Sequence, residues 1–265
     1  MGELSLAIAG LCTRILTDDA HVANVVKDRY AGFLTEGDPD WRIRIDVGPT
    51  GPDPSAQDVV VRRDGGPARF LVTRADFRGS VDLQTRRGTL TVATPDEVSV
   101  DTFLRILYSL ALVEAHGLVL HAASLVRNGR AYLFCGPSGS GKTTVARLSP
   151  DATLLSDELS IVRTREGHAA AYGTPFWGEL ARGGEDRSAP LSGIYFLHKG
   201  DRHAVEAIRP RRALEQLLPN VLFFAKEAEL TARVLGISAD LLEAVPCFAL
   251  SFRPDPGFWE VIEDA

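Results

Sequence analysis

The chain has 265 residues, 45% of them hydrophobic and 24% charged, with a formal net charge of −6. That length and apolar content suffice for one large or two small cored domains and exclude a disordered chain. The acidic balance, with Arg209-Pro210-Arg211-Arg212 as its densest basic run, argues against a nucleic-acid or membrane partner, and three cysteines without a CxxC pair exclude a disulfide framework.

The N-terminal apolar stretch lacks a basic n-region and is interrupted by Thr13 and Arg14, so neither a signal peptide nor a membrane span is expected, and a cytoplasmic protein is. "LSLAIAGLCTRIL" (4–16) is expected as one strand with a bulge at Gly10. Residues 20–34 carry apolar side chains at helical spacing, with Asp18 or Asp19 as cap. "WRIRIDVG" alternates as a half-buried strand, and three prolines and two glycines make 47–58 a loop. Four short β-like pieces then follow at hairpin spacing: "DVVVRR", "ARFLVTR", "GSVDLQTR" and "TLTVAT". "SVDTFLRILYSLALVEAHG" predicts a helix with Phe103, Ile106, Leu107, Leu110 and Val113 on one apolar face and Gly117 as C-cap.

Beyond that point the pattern changes. "LVLHAASLV" and "AYLFC" read as strands joined by an Asn128-Gly129 turn. "ATLLSDE", "LSIVRT", "LSGIYFLHKG" and "CFALSFRP" read as further strands, and "RPRRALEQLL" and "KEAELTARVLGI" as helices. The expected organisation is an α+β N-terminal domain over 1–116, rich in small strands, and an α/β nucleotide-binding domain over 117–265.

Residues 136–143 fit G-x-x-x-x-G-K-[ST] at every fixed position. The expected nucleotide contacts run from Gly136 through Pro137, Ser138, Gly139, Ser140, Gly141, Lys142 and Thr143 to Thr144. Glycines allow the backbone N–H groups to converge on phosphate oxygens, Lys142 reaches the β- and γ-phosphates, and the Thr143 hydroxyl suits Mg²⁺. ATP and Mg²⁺ are therefore the expected ligands. Cys135, just before the loop, is expected to be a buried, inert thiol. Asp157 and Glu158 end the next apolar run, close behind the loop because Pro150 stops the intervening helix; such carboxylates can hold a metal ion or take a proton from a hydroxyl.

"GLVLHAASLVRNGRAYLFCGPSGSGKTT" followed by "LLSDE" resembles the catalytic domain of the HPr kinase/phosphorylase family, over about residues 117–198. The resemblance implies a fold like the phosphoenolpyruvate carboxykinase core. It implies Asp157 as general base toward a serine hydroxyl, Glu158 as Mg²⁺ ligand in a place where the family has Asp, and His121 near the transferring phosphate. The layout also resembles small HPr-kinase-like proteins of peptide maturation, some of which phosphorylate a serine of a precursor peptide, lasso peptide precursors among them. That implies a substrate-facing segment over 172–197, with Phe176 and Trp177 packing an apolar peptide and Glu179, Arg182 and Arg187 contacting phosphate or acceptor.

The function expected is thus ATP-dependent phosphoryl transfer to a serine of a peptide or small protein, with self-association left open. A small-molecule kinase of the same fold and a nucleotide-binding module without transfer activity are the alternatives. "PLSG" at 190–193 is not the signature of a transport ATPase.

Overall fold

The computed structural model describes residues 2–50, 58–66, 68–225 and 227–264. Most of the loop expected over 47–58 lies outside them. The chain divides into two compact units, Met1–Ala111 with Phe223–Ala228, and Leu112–Leu222 with Glu229–Ala265. Both are mixed α/β, and among the described residues there are six α-helices and two eight-stranded sheets. No helix among those residues is long and apolar enough to cross a membrane.

The first unit contains strands β1 (Gly2–Ile8) and β2 (Leu11–Thr17), helix α1 (Ala20–Arg29), then β3 (Leu34–Thr35), β4 (Trp41–Val47), β5 (Val60–Arg63), β6 (Arg69–Arg74), β7 (Phe77–Asp82) and β8 (Arg87–Val92). Helix α2 (Glu97–Glu114) leads out of it. The strand order is β3-β1-β2-β4-β8-β7-β6-β5. The single strand expected over 4–16 is instead a hairpin. Ala9 (φ 51°) and Gly10 (φ 75°) form a two-residue turn, and such a turn matches strand twist, so the chain reverses where a bulge was expected. Of the two candidate caps of α1, Asp19 does the work: its Oδ1 accepts from the N–H groups of His21 and Val22, both at 2.9 Å. That helix ends at Arg29, earlier than expected, where the guanidinium turns inward to Asp101 at 3.0 Å.

Alternation along β4 is as the sequence requires, with Trp41, Ile43 and Ile45 buried and Arg42 and Arg44 exposed. Helix α2 is buried more widely than one face, from Ile106 through Val113. Its polar groups are satisfied: Ser109 Oγ donates to the Ile106 carbonyl, and the Tyr108 hydroxyl pairs with Thr13 Oγ1 at 2.9 Å. Gly117 is not its cap. His116 takes the left-handed backbone (φ 52°), and Gly117 opens the next strand, where a Cβ would lie 2.9 Å from the Arg163 side chain.

The second unit runs β9 (Gly117–Arg127), β10 (Arg130–Cys135), α3 (Lys142–Arg147), β11 (Thr153–Ser156), β12 (Leu159–Arg165), β13 (His168–Tyr172), β14 (Ser188–Lys199), β15 (Ala204–Ala207), α4 (Pro210–Leu217), α5 (Ala228–Ala244), β16 (Cys247–Phe252) and α6 (Phe258–Glu263). Two long strands change partners midway. The first half of β9 pairs with β12 and its second half with β10 and β11. Likewise β14 pairs with β13 through Ser188–Pro190, then with β10 and β16. Pairing therefore closes on itself through β10, β9, β12, β13 and β14.

One face of this sheet is covered by α3 and α6. Phe134, Tyr195, Phe252, Phe258 and Trp259 pack there, with ring centroids 5.3 to 6.4 Å apart in the pairs Phe134–Tyr195, Phe134–Phe258, Phe134–Trp259, Phe252–Phe258 and Phe258–Trp259. The Trp259 indole N–H donates to Ser149 Oγ at 2.8 Å, and that hydroxyl donates in turn to the Val145 carbonyl of α3. Removing a buried aromatic of this size costs about 3–5 kcal/mol. Trp259→Ala is expected to lower the unfolding free energy by about that much in a urea titration.

Candidate active site

Register alone brings the chemistry-bearing residues together. Cys135, the last residue of β10, pairs with Ala122 of β9, so the loop at Gly136 leaves the sheet beside His121. On the other side of β9, Ser156 pairs with Ser124 and Leu159 with His121. The two residues between, Asp157 and Glu158, lie opposite Ala122 and Ala123 in a break of the ladder, where the Glu158 carbonyl accepts from Ala122 N–H and the Glu158 N–H donates to Ser156 Oγ. The phosphate-type loop, the histidine and the acidic pair thus converge where β9 exchanges one partner for another.

The loop is held open by its glycines and by what lies beneath it. Gly141 has φ 108°, and a Cβ there would meet the Phe252 ring at 2.6 Å, so no other residue fits. No side chain caps α3 at this end. Lys142 is 6% exposed, and its Nζ donates to the carbonyls of Gly136 (2.8 Å) and Pro137 (3.2 Å). Burial pushes its pKa down, and the nearby carboxylates of Glu158 and Glu179 oppose that shift. Ser140 Oγ is buried and has no hydrogen-bond partner among the described residues. A polar atom left so is costly unless something fills its site, and a phosphate group would. Cys135 is fully buried, and burial pushes its thiol well above the ordinary range, as an inert thiol requires.

The acidic pair divides into a buried and an open member. Asp157 is 1% exposed; its Oδ1 accepts from Gly178 N–H at 3.0 Å and its Oδ2 from Leu180 N–H at 2.9 Å. It anchors the segment 178–180 to the end of β11. The Glu158 side chain is 30% exposed, with Oε2 3.8 Å from His121 Nε2, whose side chain is 42% exposed. Gly178 lies directly over it, since a Cβ there would be 2.6 Å from Glu158 Oε2.

The segment following β13 is wound tightly against β11. The Thr174 hydroxyl donates to the Leu159 carbonyl, and the N–H groups of Thr174 and Glu185 donate to the carbonyls of Leu155 and Leu154. Phe176 is fully buried, so the expectation that it packs an apolar peptide is corrected: it fills the core, and only Trp177 of that pair is partly exposed. Glu179 is exposed, 3.7 Å from Arg147. Arg182 is exposed as well. Arg187 points elsewhere, toward Thr153 Oγ1 at 3.4 Å and Glu185 at 3.9 Å, at the opposite end of β11 from the acidic pair.

Among the described residues no three His, Cys, Asp or Glu side chains gather as a metal cage. A Mg²⁺ ion bound with a nucleotide does not need one, because phosphate oxygens and water fill most of its octahedron. Thr143 and Glu158 are hard oxygen donors of the right kind.

A family model described as SynChlorMet cassette protein ScmC matches residues 93–265, about two thirds of the chain. The chain belongs to the ScmC family. The matched stretch includes the whole loop, His121 and the acidic pair. No curated protein matches. Among solved structures, the HPr(Ser) kinase/phosphatase from Coxiella burnetii is similar over 55% of this chain and 94% of its own, at 11% identity and a TM-score of 0.32, a superposition too loose to establish a common fold.

The Asp157 anchor has a measurable consequence. A hydrogen bond to a charged group contributes about 1.5–3 kcal/mol. Asp157→Ala, which removes two such bonds, should therefore lower stability by about 3–6 kcal/mol in urea titration and expose 178–184 to limited proteolysis, whereas Glu158→Ala should do neither.

Proposed function

We propose that this ScmC-family chain is an ATP-dependent kinase that transfers a phosphoryl group to a serine hydroxyl of a peptide or small protein, through a catalytic core of the HPr-kinase type. The observation that carries the reading is the convergence of the phosphate-type loop, His121 and the Asp157-Glu158 break on one point of β9. A nucleotide-binding module needs the loop alone. A carboxylate and an imidazole beside it suit a hydroxyl that must be oriented and relieved of its proton.

In this reading the N–H groups of residues 139–144 and Lys142 hold the β- and γ-phosphates. Lys142 exchanges its bonds to the loop carbonyls for phosphate oxygens, and Ser140 Oγ gains a partner. Thr143 would hold Mg²⁺ with phosphate oxygens and water; the ion supplies neutralisation of charge on the transferring group. Phosphoryl transfer asks mostly for positioning and electrostatics.

In this reading the general base is Glu158 rather than Asp157, the residue the resemblance implies. Asp157 has both oxygens committed to Gly178 and Leu180 and almost no exposure, which suits a positioning residue. Glu158 is open, next to His121 and within electrostatic reach of Lys142; it takes the hydroxyl proton, with His121 orienting it. Glu179 and Arg182 lie on the anchored segment and would meet the acceptor.

The test uses labelled ATP and serine-containing peptides. Wild type is expected to yield phosphoserine, Lys142→Ala to lose both ATP binding and transfer, and Glu158→Gln to lose transfer by about 10²-fold or more while MgATP affinity is kept. If Glu158→Gln instead weakens MgATP about tenfold, Glu158 is a metal ligand. If wild type binds ATP and labels no peptide or small-molecule hydroxyl, the chain is a binding module.

A further inference from the structure

The first unit has one sheet face turned to its helices and one turned to solvent, and the solvent face is rich in arginine. Register assigns it. Arg14 of β2 is paired with Arg42 of β4, and Arg42 with Arg87 of β8. Arg87 is paired with Asp82 of β7, and Asp82 with Arg69 of β6. One step along, Leu16, Arg44, Thr89, Ser80, Leu71 and Arg62 form a parallel row, and beyond it Asp46, Thr91, Arg78, Thr73 and Val60 form a third. Seven arginines therefore share this face, with no lysine and no aromatic ring in these rows.

The carboxylates present do not balance them. Glu3 pairs with Arg14, and Asp18 and Asp46 both pair with Arg44. Asp82 spends its Oδ1 on the N–H groups of Gln84 and Thr85. Among the described residues Arg42, Arg62, Arg78 and Arg87 make no ion pair, and all four are exposed. Like charges directly opposite one another across a sheet are destabilising, and Arg14, Arg42 and Arg87 stand three abreast. The chain as a whole is acidic, at −6, so this basic face is a local concentration against the overall sign.

We propose that this face docks an acidic, extended segment of a partner polypeptide. The arginines span six adjacent strands, about 24 Å at the usual strand spacing, which is too long for a single small anion and suits a chain of them. Guanidinium groups match carboxylates as forks, and the Ser and Thr hydroxyls between them can bond a peptide backbone. Nucleic acid fits less well, because single-stranded bases need aromatic platforms that the face lacks. A depression of about 510 Å³ lined by Arg42, Arg44, Arg69 and Arg87 gives the segment a seat. This proposal does not depend on the kinase reading.

The test is fluorescence anisotropy of the full chain with a labelled peptide of alternating Glu and Thr. A Lys/Thr peptide, a single-stranded RNA and phosphatidylserine vesicles serve as comparisons. Expected is binding of the Glu/Thr peptide alone, weakening with salt, and reduced by about tenfold or more in Arg42→Ser/Arg87→Ser. The Lys142→Ala chain should bind it as wild type does. The double variant should melt no lower than wild type, since it removes cross-strand repulsion; should it unfold, Arg62→Gln/Arg78→Gln is expected to give the same loss of binding. No binding of the Glu/Thr peptide, binding insensitive to both double variants, or tighter binding of RNA or vesicles overturns the proposal.

Discussion

The candidate site depends on one interruption in a β-ladder. Strand β9 is long enough to need two partners on one side, β11 and then β12, and the chain crosses from one to the other in two residues. A continuous strand there would have sent alternate side chains to opposite faces of the sheet. The break leaves both residues off the two ladders, where Asp157 turns inward to grip 178–180 and Glu158 opens beside His121. Backbone polar groups released by the interruption are taken up locally: the Glu158 carbonyl by Ala122 and the Glu158 N–H by Ser156 Oγ at 3.2 Å.

Much of this was legible in the sequence because it is local. The hairpin of β9 and β10 follows from Asn128-Gly129, whose φ angles of 52° and 75° are those a two-residue turn demands. The turn over 136–141 follows from its glycines and from the strand and helix flanking it. The first hairpin is hidden in the sequence because Ala9, an ordinary residue, takes the left-handed conformation that Asn or Asp would usually announce.

What the sequence could not show is non-local or short. The bonds from Asp157 to Gly178 and Leu180 cross more than twenty residues of chain, and no periodicity signals them. Phe176 and Trp177 are adjacent, and only packing decides that the first is core. Strand β13 is alanine-rich and α6 is six residues of mostly aromatic and branched side chains, so neither carries a helix or strand period long enough to read. The arginine face is in the sequence as alternation within β4, but its rows exist only once β2, β4, β8, β7 and β6 are placed side by side.

The Phe252 ring occupies the space above Gly141, and α6 follows directly in the chain to pack on α3. The loop at 136–144 is therefore shaped by residues made more than a hundred positions later. During synthesis the glycine-rich turn emerges from the ribosome well before its floor does. The nascent chain passes through a stage in which β9 and β10 can pair but the turn is unsupported and its conformational entropy is undiminished. The nucleotide binding proposed for this loop would therefore depend on the docking of the last strand and helix.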